Sequence, residues 1–161
     1  MPVQAHTAEP LPAGCFSLEE VHQLQSTAGR TLTQVSYYLW ASAESDAEAG
    51  FLYFLELSFD AGPALYLTCG EDSTGIQVSD AAALIETAHQ LQALHGKPCI
   101  RHIAAHNTSA LWQPVVGRPL HAIHLMRHES GLYANEALQL EFGDRQIVIE
   151  LAEQEGLAVV G

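Results

Sequence analysis

The sequence predicts an α+β protein built from two antiparallel β-meander modules, about eight strands in all, packed as a pseudo-two-fold pair with one or two helices covering the sheets. Three observations predict it. Apolar residues recur at every second position in several short stretches, the mark of half-buried strands. Two segments carry helix start and stop signals. The second half of the chain also repeats the order of motifs found in the first.

The first helix opens at "SLEE". Ser17 is placed to accept from the backbone near Glu20 and Glu20 to reach back, a capping box, with Val21 and Leu24 giving an apolar side and Gly29 closing the helix. "TLTQVSYYLW", rich in β-branched and aromatic residues, reads as a strand. In "FLYFLELSFD", Leu55, Leu57 and Phe59 alternate with Glu56, Ser58 and Asp60. Leu52 and Phe54 make this strand apolar on its second side too, so it is either covered on both faces or exposes an adhesive patch. "DAGP" supplies a turn before Leu65 and Leu67, and Gly75 leads into a short strand, "GIQV".

The clearest helix spans 81–95. Asp80 is its N-cap, Leu84, Ala88, Leu91 and Leu94 or His95 form one stripe, and Gly96 with Pro98 ends it. After a linker the pattern returns. "LQSTAGRTLTQV" aligns without a gap on "WQPVVGRPLHAI", so Gly29, Arg30 and Leu32 meet Gly117, Arg118 and Leu120. Leu55, Leu57 and Phe59 then meet Leu138, Leu140 and Phe142; Leu65 and Leu67 meet Ile147 and Ile149; Gly75 and Ile76 meet Gly156 and Leu157. Two matching blocks in one order, with gaps only at turns, point to duplication. The expected organisation is a loose tail over 1–16 and a single globular domain over 17–161. That domain holds two repeats, about 17–79 and about 108–161, joined by the helix and the linker.

This alignment decides how "GRPLHAIHLMRH" is read. His121, His124 and His128 would share one side of a helix, but they align with Thr33, Ser36 and Trp40 of a strand. On a strand His124 and His128 lie about 13 Å apart and His121 faces the other way, too far apart for chelation. A second group, His89, His95, Cys99, His102 and His106, lies around the linker. Of these His95, Cys99, His102 and His106 are the candidate metal ligands, since Cys and His suit zinc, although their spacing matches no zinc-binding pattern. No cofactor is expected.

With 161 residues, 48% hydrophobic and 16% charged, the chain can bury a core. Its net charge is −13, and residues 1–80 hold eleven carboxylates against Arg30 alone. That balance argues against nucleic acid and anionic membranes as partners, and fits either plain solubility or a basic protein partner. The three cysteines are far apart and form no CxxC pair, pointing to a reducing, cytoplasmic setting. The sequence contains no GxSxG, GxxxxGK[ST], GxGxxG or HExxH motif. The matched acidic pairs Glu71-Asp72 and Glu153-Glu155 read as polar turn residues. The expected function is therefore a non-enzymatic, acidic protein-binding domain of inhibitor or immunity type, monomeric or weakly dimeric. The alternative is a small-ligand or metal-binding protein using the cleft between the repeats.

Overall fold

The computed structural model describes residues 14–40, 51–69, 74–152 and 156–161. Its elements, in chain order, are α1 (Leu18–Ser26), β1 (Leu32–Trp40), β2 (Phe51–Phe59), β3 (Leu65–Thr68), β4 (Gln77–Ser79), α2 (Ala81–His95), β5 (Ile100–Ala104), α3 (Ala105–Thr108), β6 (Ala122–Arg127), β7 (Tyr133–Phe142), β8 (Arg145–Leu151) and β9 (Leu157–Val160). The fold is α+β, and among the described residues it comprises one large antiparallel sheet of nine strands and three helices.

The two capped helices form as expected. Ser17 accepts from the Glu20 amide and Glu20 accepts from the Ser17 amide, completing the capping box. The second Glu20 carboxylate oxygen accepts the Val78 amide at 2.8 Å, so the side chain that starts α1 also occupies a backbone donor of β4. Helix α1 ends at Thr27, two residues before Gly29. Asp80 caps α2 by accepting from the Ala83 amide, and Gly96 ends it at φ +74°.

Strands β1 to β4 and β6 to β9 form two meanders. In each, the alternating residues supply the core: Val35, Leu55, Leu57, Leu65 and Leu67 in the first, and Ile123, Leu138, Leu140, Phe142, Ile147 and Ile149 in the second, are all nearly or wholly buried. Both sets join one continuous cluster with Phe16, Leu24, Trp112 and Leu120. The meanders are stitched together by backbone bonds. Leu52 pairs with Leu157, the Ile76 amide donates to the Asn135 carbonyl, and Thr31 bridges Pro119. Around that bridge the Gly29 and Leu32 amides donate to the Leu120 and Arg118 carbonyls, while the Gly117 and Leu120 amides donate to those of Leu32 and Arg30.

Strand β2 resolves the question raised by its two apolar sides, because Leu52, Tyr53, Phe54 and Leu55 are all buried. It is covered on both faces. The strand count exceeds the expected eight because the segment between the two meanders contains β5, which pairs with β1 from Ser36↔Ala104 to Trp40↔Ile100. "IRHIA" does not alternate, so only its distant partner makes it a strand. Leu94, expected on the buried stripe of α2, is 76% exposed. Only Leu84 and Leu91 are buried on this helix, so its C-terminal turn projects beyond the sheet.

Candidate functional site

The most developed site lies where α2 crosses the outer face of the first meander. Cross-strand register brings the side chains together: Ser36 on β1 lies opposite Glu56 on β2, Glu56 opposite Tyr66 on β3, and Tyr38 on β1 opposite His102 on β5. Alternation places all five on one sheet face. A cleft of about 360 Å³ separates this face from Ala81, Leu84, Ile85 and Ala88 of α2, with Tyr38, Tyr66, Ile100 and His102 on the opposite wall. Such an apolar cleft with a few converging polar groups is the usual form of a small-molecule site, at the lower end of the size range.

A hydrogen-bond chain runs along this sheet face. The Tyr38 hydroxyl donates to Glu56 Oε1 at 2.7 Å, and the Ser58 hydroxyl lies 3.5 Å from Oε2. His102 Nε2 is 2.9 Å from Ser36 Oγ, and the His102 and Tyr38 rings are tilted with centroids 5.1 Å apart. Burial, followed by the bond to Glu56, holds the Tyr38 pKa well above the usual phenol value. Tyr66 is pushed up to about 12, first by burial and then by the charge and hydrogen bond of Glu56.

A folded-state pKa above the unfolded value of 10 means the folded chain holds the phenolic proton longer than the unfolded chain does. The stability contributed is whole below pH 10 and is lost as pH rises towards 12. The urea midpoint is therefore expected to fall through that window, and Tyr66→Phe to shrink the fall. An equal fall in wild type and variant would show that Tyr66 does not contribute.

The histidine and cysteine candidates do not share this site. His95 sits in the last turn of α2, and Cys99 is buried with its thiol towards the Leu91 and Lys97 carbonyls. His102 belongs to the cleft. His106 Nδ1 contacts the Val35 amide and carbonyl at 3.2 and 3.0 Å, satisfying one or the other according to its tautomer. Among the described residues no group of three or more His, Cys, Asp or Glu gathers to hold a metal. His124 lies on β6, while His121 precedes that strand and His128 follows it, bonded to Ser130. Gly29, Arg30, Leu32, Gly117, Arg118 and Leu120 do converge, through the backbone bonds at the Thr31 bridge, and Arg118 pairs with Asp144 at 2.9 Å. Glu71, Asp72, Glu153 and Glu155 lie outside the described residues.

A second groove, of about 400 Å³, lies on the outer face of the other meander. His124, Met126, Ala137, Gln139, Val148 and Glu150 line it. Among the described residues no helix roofs it; Met126 is 63% exposed, and Glu141 beside it lies 3.5 Å from His124. Sequence reasoning singled out His102 but did not bring it together with Ser36, Tyr38, Glu56 and Tyr66. Those residues come from three separate strands, and only the mixture of polar and aromatic residues on β1 hinted at a site. Among the described residues no helix is long and apolar enough to cross a membrane. Compared with protein-family models, with curated proteins and with solved structures, the chain finds no match in any of the three.

Proposed function

We propose that this chain is a non-catalytic, acidic protein-binding module of the cytoplasm that takes a basic partner on the open outer face of its second meander. The observation that carries the reading is an asymmetry between the two outer faces. In the first meander α2 roofs that face. In the second it is open, with exposed Met126 and half-buried Ala137 and Val148 beside the carboxylates Glu141 and Glu150. Apolar contact area beside fixed negative charge, on a chain of net charge −13, complements a basic and partly apolar surface. The three buried cysteines are not joined in disulfides, which accords with a reducing compartment.

The reading includes a duplication, in which the two meanders derive from one unit. Its support is reciprocity. Under the alignment of Gly29 with Gly117, the bond from the Gly29 amide to Leu120 exchanges with that from the Gly117 amide to Leu32, and Leu32 to Arg118 exchanges with Leu120 to Arg30. The Leu52–Leu157 pairing likewise exchanges with the Ile76–Asn135 bond. Gly75 and Gly156 each pack closely on the partner so related, Asn135 and Leu52. Duplication followed by divergence then explains the asymmetry: one copy's face acquired a helical roof, while the other remained free.

Affinity capture from the native lysate tests the binding reading. The full chain is expected to retain a basic protein at low salt and lose it at high salt, because screening shortens the reach of exposed charge to about 3 Å at 1 M. Glu141→Gln/Glu150→Gln is expected to retain it at least about tenfold less well, a loss of about 1.4 kcal/mol. Capture of nothing at either salt concentration, or equal capture by the variant, would count against the reading.

A further inference from the structure

The roofed cleft has a chemistry of its own, independent of the open face. Its hydroxyl hydrogens are directed inward. Tyr38 donates to Glu56, the Tyr66 hydroxyl is also bonded to Glu56, and Ser36 Oγ lies 2.9 Å from His102 Nε2. The phenols present lone pairs and ring faces to the cleft, with the His102 ring tilted beside Tyr38.

The cleft therefore offers phenol oxygens and π-faces. Its nearby fixed charge is negative, since Glu56 and Asp80 both act on Tyr66. Arg101, the cation next to His102 on β5, lies opposite Leu39 in register and faces the other side of the sheet. Hydrogen bonding to a carboxylate also pushes electron density into a phenol, and electron-rich rings attract cations over their faces. On the α2 side the wall is purely apolar: Ala81, Leu84, Ile85 and Ala88.

We propose that the cleft between α2 and the first meander binds an organic ammonium cation with a short apolar chain, the cationic head against Tyr38, Tyr66 and His102 and the chain along Leu84, Ile85 and Ala88. An anionic ligand would face phenol oxygens with the negative Glu56 carboxylate bonded behind them, and would be rejected. A volume of about 360 Å³ limits the ligand to a small amine.

Titration calorimetry on the full chain with hexyltrimethylammonium, hexylammonium and hexanoate tests this. Both cations are expected to bind saturably with one site per chain, and hexanoate at least about tenfold more weakly. Glu56→Gln, which preserves shape while removing the charge, is expected to weaken the cations about tenfold. Ala88→Trp, which fills the cleft from the helix side, is expected to abolish their binding while the circular dichroism spectrum stays unchanged. Hexanoate binding as tightly as hexylammonium would overturn the proposal. So would unaltered cation binding in folded Ala88→Trp, or no saturable cation binding up to roughly 10 mM, the weak end of ligand affinity.

Discussion

Trp112→Ala is expected to destabilise the chain by about 3–5 kcal/mol, the usual cost of removing a fully buried aromatic side chain. Trp112 is completely buried in the turn segment that precedes β6 and belongs to the cluster to which both meanders contribute. Its indole Nε1 donates to the Tyr37 hydroxyl at 2.6 Å across 75 residues of sequence. Truncation thus opens a cavity and leaves a half-buried phenol without its donor. Against a total stability of about 5–15 kcal/mol typical of single domains, this is a large fraction. Trp112→Phe fills most of the volume and is expected to cost less. Tyr37 provides the internal check, because burial raises its pKa while the Trp112 hydrogen bond lowers it. Removing the indole donor in Trp112→Phe is therefore expected to raise it further. Urea unfolding measures the first effect and spectrophotometric tyrosine titration the second; a Trp112→Ala cost below about 1 kcal/mol would contradict this packing.

Gly156→Ala is expected to cost at least about 2–3 kcal/mol, for two separate reasons. The residue lies at φ +87°, where a side chain brings strain of its own. A Cβ there would also stand 2.6 Å from the Leu52 carbonyl oxygen and 2.8 Å from Phe51 Cδ2. That carbonyl belongs to the strand pair joining β2 to β9, so it cannot withdraw without loosening the junction between the meanders. Gly117→Ala isolates the strain from the clash. Gly117 lies at φ +89°, and a methyl carbon added there would meet nothing within 4 Å. Its substitution is expected to cost about 1–2 kcal/mol. Equal losses at the two positions would show that the close approach at Gly156 contributes nothing.

Much of the fold could be read from local chemistry. The Ser17–Glu20 capping box, the Asp80 cap and both hairpins are each encoded within a few consecutive residues, as is the alternation of Leu55, Leu57 and Phe59 and of Leu138, Leu140 and Phe142. Long-range pairing was less accessible. Strand β5 lacks alternation and exists through its pairing with β1, some 65 residues earlier in the chain. The Trp112–Tyr37 and Glu20–Val78 bonds are specified only by the tertiary fold.

The candidate site was less legible than the fold. His102 stood out as a possible zinc ligand, yet its partner is the Ser36 hydroxyl, and His95, Cys99 and His106 have separate contacts. Spacing along the chain could not anticipate a cleft assembled from β1, β3, β5 and α2. The aligned strands did bear on the difference between the outer faces, because Phe54 and Tyr66 occupy places taken by Ala137 and Val148 in the second meander. Large aromatic residues line the roofed face, and smaller residues line the open one.

The central claim is that a basic partner docks on that open face. Backbone-amide NMR of the isotopically labelled chain, titrated with the captured partner, tests it most directly. The account expects the largest shifts at His124, Met126, Gln139, Val148 and Glu150, with α1 and α2 little changed. Shifts concentrated on α1 or α2, with β6 to β8 unaffected, would contradict it.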